Sequence, residues 1–177
     1  MSRLVPAALA FVLAAGAISG CSPQPEPEDP PQFASEEEAF AAAEETYRAY
    51  VDALNHVDLS DPETFEDVYA WTTAEANAGA RESFSQMHAD GWIVDGETRI
   101  QLAEPRDWSD PRQSVELDIC LDVSDVTLVD SAGQSVVAAD RRDVQSMHAS
   151  LVTAQSSSTG LLISLIEGRE GAPECVA

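Results

Sequence analysis

The spacing of hydrophobic positions changes near Gly91, from a helical period before it to alternation after it. Across residues 36–55 apolar side chains recur every three or four positions, which predicts an amphipathic helix. Ser35 precedes it with Glu38 three positions on, the pattern of a capped helix start. Two further helices are predicted, a short one over residues 60–69 and another over 72–90. The part of the chain before Gly91 is therefore expected to be mainly helical.

After Gly91 the alternation predicts strands with one buried face, most clearly over residues 115–123. Further strands are predicted over residues 145–152 and 161–166, and a turn over residues 130–133. The positions expected to face inward are Trp92, Val94, Thr98, Ile100, Leu102, Val115, Leu117, Ile119, Leu121, Val123, Met147, Ala149 and Leu151. None of these side chains is an acid or a base. A dedicated acid–base site inside the sheet is therefore not expected.

Helices followed by a meandering sheet predict an α+β domain in which N-terminal helices pack on a curved antiparallel sheet, a cone-like roll. This order of elements resembles the nuclear-transport-factor-2-like superfamily, also called cystatin-like, from about Glu36 to Ile166. The resemblance implies a cone that in other members holds enzymes, carriers or inert scaffolds. Such a fold does not determine a function.

The first 21 residues have the pattern of a bacterial lipoprotein signal. A basic start is followed by an apolar run over residues 4–17, which is too short for a membrane span. Residues 18–21, Ile-Ser-Gly-Cys, resemble the lipobox, and residues 57–92 resemble actinobacterial lipoproteins. The resemblance implies that residues 1–20 are a signal peptide and that Cys21 is lipidated and acylated. The protein would then be held at the extracytoplasmic face of the cell membrane. The alternatives are an ordinary secretory signal and an uncleaved anchor.

Residues 21–34 are rich in proline and acidic side chains and have little to bury, so they are predicted to be an extended tether. A proline-rich ligand for a partner's groove is the alternative. Residues 35–177 are predicted to be a single α+β domain, since that length suits one hydrophobic core.

The chain contains three cysteines, which in an exported protein leaves one without a partner. If lipidation modifies Cys21, the remaining pair, Cys120 and Cys175, can form a disulfide in an oxidising compartment. Because Cys120 shares the outer parity of its strand, this bond would strap the C-terminal segment across the outer sheet face. Two unpaired buried thiols are the alternative.

Four residues near the helices are candidates for the rim of a small pocket: Tyr47, Tyr50, His88 and Trp92. The alternative is that the aromatic rings fill the core and that His88 favours a helix C-terminus. The three histidines have no metal-ligand spacing, and there is no phosphate loop, so neither a metal nor a cofactor is expected. The one basic doublet, within residues 140–143, is flanked by acids and is expected to be a self-paired turn. An anion site is the alternative.

The chain of 177 residues carries 9 basic and 32 acidic side chains, for a net charge of -23, which excludes a nucleic-acid binder. The residues expected on a solvated outer sheet face are Asp95, Glu97, Glu116, Asp118 and Asp122, with His148. These acids predict a binding module whose acidic surface meets a basic or cationic envelope partner. Two alternatives stay open: a small-molecule enzyme or carrier that uses the cone, and a solvated structural envelope protein. The sequence does not predict the oligomeric state.

Overall fold

The computed structural model describes residues 33–109 and 114–176. The predicted signal peptide, the predicted lipidation at Cys21 and nearly all of the predicted tether lie outside these residues. Within the described ranges, no helix combines the length and the apolar character needed to cross a membrane.

Three α-helices come first in the described chain: α1 (Glu36–Asn55), α2 (Phe65–Tyr69) and α3 (Ala74–Ala89), with a 3-10 turn at Pro62–Thr64. The predicted cap of α1 is confirmed, since the Glu38 amide donates to the Ser35 hydroxyl at 3.2 Å. The Glu38 carboxylate in turn accepts the Ala34 amide at 2.9 Å. These two bonds satisfy backbone donors that a helix start otherwise leaves unpaired.

Six strands follow: β1 (Ile93–Asp95), β2 (Arg99–Ser109), β3 (Ser114–Asp122), β4 (Thr127–Val129), β5 (Val144–Thr153) and β6 (Leu161–Gly168). Strands β2, β3, β5 and β6 form an antiparallel sheet in that order, and β1 pairs with β4 in a separate two-stranded sheet. The predicted α+β class, with helices against an antiparallel sheet, is confirmed.

The first hydrophobic core lies between α1 and the four-stranded sheet. Ala39, Ala43 and Tyr47 of α1 are buried against the odd-numbered residues of β3, from Val115 to Leu121. The inward parity predicted for β3 is therefore confirmed. We call the opposite face of this sheet the outer face.

Strand β2 departs from the predicted parity because it contains two register irregularities, after Ile100 and after Pro105. Ile100 lies opposite Leu121, which faces inward, whereas Leu102 lies opposite Cys120 on the outer face. The predicted inward position of Leu102 is therefore wrong. An extra residue in one strand reverses the direction of every side chain beyond it.

A second hydrophobic core lies beneath the short helices and contains Leu59, Phe65, Val68, Tyr69 and Phe84. Phe65 and Phe84 are central to it, with ring centroids 5.1 Å apart. Trp92 and Val94 pack against this core and not against the main sheet. The described residues therefore form two packed clusters, and Val94 and Leu128 of the two-stranded sheet pack against the second one.

Candidate functional site

The four residues predicted to rim a pocket are distributed over the two cores. Tyr47 is 1% exposed in the first core, and its ring centroid lies 5.6 Å from that of Tyr50. The His88 Nδ1 donates to the Leu59 carbonyl at 2.7 Å, and Trp92 packs against the second core. None of the four lines the apolar pocket described below. Their contacts are those of packing residues.

Neither tyrosine of α1 can act as a base near neutral pH. Burial raises the pKa of Tyr47 well above its usual range, and the neighbouring Tyr50 raises it further. Burial also raises the pKa of Tyr50. The Tyr47 hydroxyl has no hydrogen-bond partner among the residues that the structure describes. Both phenols therefore stay protonated, and that of Tyr47 is a buried polar group without compensation.

The central acids of the outer face are not solvated, so that part of the prediction is wrong. Asp118 is only 7% exposed. Its Oδ1 lies 3.1 Å from Arg106 Nη1, 3.5 Å from Arg169 Nε and 3.6 Å from His148 Nδ1. Antiparallel register places Asp118 directly opposite His148, and the C-terminal segment supplies Arg169. The charge of Asp118 is therefore compensated within the protein.

Glu116 belongs to the same cluster. Its Oε2 accepts the Ser150 hydroxyl at 2.6 Å and lies 2.7 Å from His148 Nε2. The Ser150 Oγ is also 3.5 Å from His148 Nε2, so Ser150, His148 and Asp118 follow one another as in a hydrolytic triad. However, the Ser150 hydroxyl donates to Glu116 at 2.6 Å, and β5 is an inner strand of the sheet. The cluster therefore has the contacts of a structural network.

The remaining predicted surface acids form a smaller acidic edge. Asp95 and Glu97 are exposed, as predicted, in and just after β1. Asp122 is half-buried, and hydrogen bonds from the side chain and then the backbone of Ser124 lower its pKa. Arg99 lies 2.6 Å from Asp125 and 3.9 Å from Glu97, and Asp125 raises the pKa of Arg99. Part of this edge is thus neutralised by one arginine.

The predicted disulfide between Cys120 and Cys175 is present and crosses the outer face, with Cα atoms 5.5 Å apart. Arg169, whose side chain is 4% exposed, holds the segment that leads to the disulfide. Its Nε donates to the Met147 carbonyl at 3.2 Å, and its Nη2 donates to the Pro173 carbonyl at 2.6 Å. The same Nη2 lies 3.5 Å from Cys175 Sγ. We call these contacts of Arg169 the tail clasp, and with the disulfide they cover the centre of the outer face.

An open pocket of about 370 Å³ lies between α1, α3 and the two-stranded sheet. We call it the apolar pocket. Its lining consists of Leu54, Asn55, Val57, Leu59, Phe84, Met87, Val94, Gly96, Thr98, Val126, Leu128, Val137, Ala138 and Arg141. No carboxylate and no imidazole belongs to this lining, as far as the described residues go. The pocket can therefore hold an apolar body but offers no proton donor or acceptor for catalysis near neutral pH.

Two local contacts fix the shape of the pocket. Asn55, the last residue of α1, donates its side-chain amide to the Thr98 carbonyl and accepts the Thr98 amide, both at 2.9 Å. Gly96 has φ of +93°, and a Cβ there would lie 2.1 Å from the Asp125 carbonyl oxygen. The connection before β2 and the turn after β3 thus touch at the rim, and only glycine permits this approach.

Arg141 is the one charged residue in the lining, as far as the structure describes it. Its Nη2 donates to the carbonyls of Val123 and Val126, at 3.0 and 2.9 Å. No ion pair joins Arg141 to any carboxylate among residues 33–109 and 114–176. The predicted self-pairing with Asp140 and Asp143 is therefore wrong for Arg141, because its guanidinium reaches across to another turn.

No protein-family model matches the chain, and no curated protein matches it. Solved structures do match. A Novosphingobium aromaticivorans protein provisionally named an aromatic ring hydroxylase has a TM-score of 0.51 at 12% identity, over 76% of this chain and 96% of that one. CagV of Helicobacter pylori, described as a VirB8 homologue, has a TM-score of 0.46 at 9% identity, over 72% and 95%. At such identities the likeness concerns the fold alone, and the first of the two agrees with the α+β fold described above.

Proposed function

We propose that this protein is an extracytoplasmic binding module that holds a small, mostly apolar molecule in the apolar pocket. The observation that carries the proposal is the pocket itself, with a volume of about 370 Å³ and a lining that is apolar apart from Asn55, Thr98 and Arg141. Ligand pockets typically have volumes of about 300–1,000 Å³ and combine an apolar lining with a few polar groups.

Binding is favoured over catalysis because the described lining lacks a titrating acid or base. The Arg141 guanidinium is a hydrogen-bond donor and not an acceptor. The carboxylates that lie beside a histidine, Glu116 and Asp118, are on the outer face, where they bond to their neighbours in the cluster. These features support a carrier or sensor and argue against a general acid–base enzyme.

The proposal includes the lipid anchor on Cys21, with residues 21–34 as a tether for the domain over residues 35–177. The lipobox-like sequence and the disulfide support it, since disulfides persist in oxidising compartments. We expect Cys21→Ala to abolish acylation and retention in the membrane fraction, because at least two acyl chains are needed for stable anchoring. Unchanged mass and unchanged partitioning of the variant would contradict the anchor.

Pocket binding can be tested with a neutral apolar dye, N-phenyl-1-naphthylamine, on residues 21–177 carrying Cys21→Ala, which lack both the acyl chains and the apolar run over residues 4–17. Val137→Trp should fill the pocket and weaken dye binding on the order of tenfold or more. Val136→Trp is the matched control, because Val136 is half-buried like Val137 but does not line the pocket. Equal dye affinity of the two variants, or no saturable binding by the parent chain, would refute the proposal.

A second candidate function is recognition of a basic or cationic envelope partner by the acidic edge. The exposure of Asp95 and Glu97, in a chain of net charge -23, favours it. Reversing both charges to lysine should weaken binding of a decalysine peptide, and binding should fall with salt because screening acts over about 8 Å at physiological ionic strength. Asp52→Lys, at an exposed acid of α1, is the control for net charge. If the control weakens binding equally per charge, the edge has no specific role.

A further inference from the structure

We propose that the apolar pocket selects molecules that carry an anionic group on an apolar body, and that Arg141 binds the anionic group. The inference rests on the proposed function, since it names the ligand class for that same pocket. The class comprises amphiphiles with a carboxylate, phosphate or sulfate head.

The first support is the pairing of the arginines. The structure describes seven of them, and five lie within 4.0 Å of a carboxylate: Arg48, Arg81, Arg99, Arg106 and Arg169. Arg141 and Arg142 form no such pair with the described residues, and of these two only Arg141 lines the pocket. The chain has 32 acidic residues against 9 basic ones, so an arginine without an acid is the exception. Its charge is left for a ligand to compensate.

The second support is how Arg141 is held. The two carbonyl bonds made by Nη2 fix the guanidinium against the turn after β3. Its Nε and Nη1 make no hydrogen bond to a described residue. A guanidinium presents its donors in a planar fork that suits the paired oxygens of a carboxylate or phosphate. The pocket therefore places a pre-oriented cationic donor beside an apolar cavity.

The acidic residues near the rim do not reverse the expected preference of the pocket for an anionic head group. Glu97 and Asp125 are engaged by Arg99, and Asp95 Oδ1 accepts the Gly96 amide at 2.9 Å. These three acids are exposed, whereas Arg141 belongs to the lining. A cationic head group in the pocket would approach the guanidinium of Arg141, which no carboxylate among the described residues compensates. The contact with Arg141 is therefore expected to decide between anionic and cationic ligands.

The test compares three ligands with the same ten-carbon chain: decanoate, 1-decanol and decylammonium, titrated calorimetrically into residues 21–177 carrying Cys21→Ala. We expect decanoate to bind about tenfold or more tightly than decanol, the range of a hydrogen bond to a charged group. Arg141→Gln should bring decanoate down to the affinity of decanol and leave decanol unchanged. Arg141→Lys should keep part of the preference, because it retains the charge but not the fork. Arg142→Gln, the matched control beside it, should change neither.

Equal affinity of the parent chain for decanoate and decanol would overturn the inference. An equal loss of affinity for decanoate and decanol in both Arg141→Gln and Arg141→Lys would also overturn it, because Arg141 would then only hold the turn. Tighter binding of decylammonium than of the other two ligands would overturn it as well. The proposed function fails separately. If decanol binds and Val137→Trp blocks it, the binding pocket stands whatever the preference, whereas absence of binding by all three ligands refutes both proposals.

Discussion

The outer face and the apolar pocket differ in how their strongest interactions are satisfied. On the outer face Glu116 lies 2.7 Å from His148 Nε2 and Asp118 lies within 4.0 Å of His148 and of two arginines, beneath the tail clasp and the disulfide. In this cluster His148 Nδ1 is buried and makes no hydrogen bond to a described residue. At the pocket an apolar lining is open and Arg141 has no acidic partner among the described residues. The cluster of Glu116, Asp118 and His148 is thus engaged in contacts within the protein. Arg141, in the apolar pocket, is the group with donors left for a ligand. Titratable residues in contact do not by themselves identify a functional site, because structural ion-pair networks contain the same groups.

The strongest way to test this difference is to remove the disulfide. Cys175→Ala should destabilise the domain by about 4 kcal/mol, the value for a loop of 55 residues in the chain-entropy model. Urea denaturation would measure the loss, and reduction of the parent chain should produce a similar one. Dye affinity of the pocket should not change in the folded variant. A loss of dye binding in parallel would show that the two regions are not independent.

The next test removes the tail clasp. Arg169→Met should cost about 3 kcal/mol, because it removes a buried partner of Asp118. Arg106→Met, which removes the other guanidinium on the same carboxylate, should cost less than about 1 kcal/mol, since Arg106 is 53% exposed. Chemical denaturation of both oxidised variants gives the comparison. Equal losses of stability in the two variants would mean that the ion pair between Arg169 and Asp118 contributes no more than an exposed one.

At the pocket rim, Gly96→Ala should cost about 2–3 kcal/mol and weaken ligand binding, because both its positive φ and the contact with Asp125 forbid a side chain. Gly133→Ala is the matched control. Gly133 has φ of +77°, but a Cβ at that position would have no atom within 4 Å, so the change should cost about 1 kcal/mol through backbone strain alone. Thermal denaturation of the pair isolates the contact. If the two costs are equal, the close approach does not shape the rim.

The smallest expected effect is a gain in the stability of the domain. Tyr47→Phe should stabilise the domain by about 1 kcal/mol at neutral pH, because the buried hydroxyl has no partner among the described residues. Since the folded pKa of Tyr47 is raised, its linked stability is complete below an unfolded pKa of about 10 and is lost as pH rises above it. The variant should therefore lose less stability than the parent above pH 10. Tyr50→Phe, at a half-buried ring, should leave neutral stability nearly unchanged.

Regular periodicity explains which parts of the fold are predictable. The end of α1 at Asn55 and the inward face of β3 follow from single uninterrupted patterns. The pattern misplaces Leu102 because the irregularity after Ile100 leaves no mark on the apolar spacing. Parity is reliable only until the first bulge.

The candidate site is harder to predict because it joins segments that are distant in sequence. Parity places Asp118 on the outer face correctly but cannot show that Arg169, from the segment after β6, covers it. The sequence pairs Arg141 with its flanking acids, whereas its guanidinium reaches the carbonyls of Val123 and Val126. Local sequence predicts the direction of a side chain, and burial and pairing depend on the tertiary structure.

The position of Arg169 means that the segment after β6 is attached to the outer face in two chemically different ways. The Arg169 Nη2 lies 3.5 Å from Cys175 Sγ and 3.9 Å from Cys120 Sγ, and it donates to the Pro173 carbonyl at 2.6 Å. The disulfide is a covalent bond that a reductant can break. The hydrogen bonds of Arg169 involve no redox chemistry, so reduction removes one attachment of this segment and does not by itself remove the other.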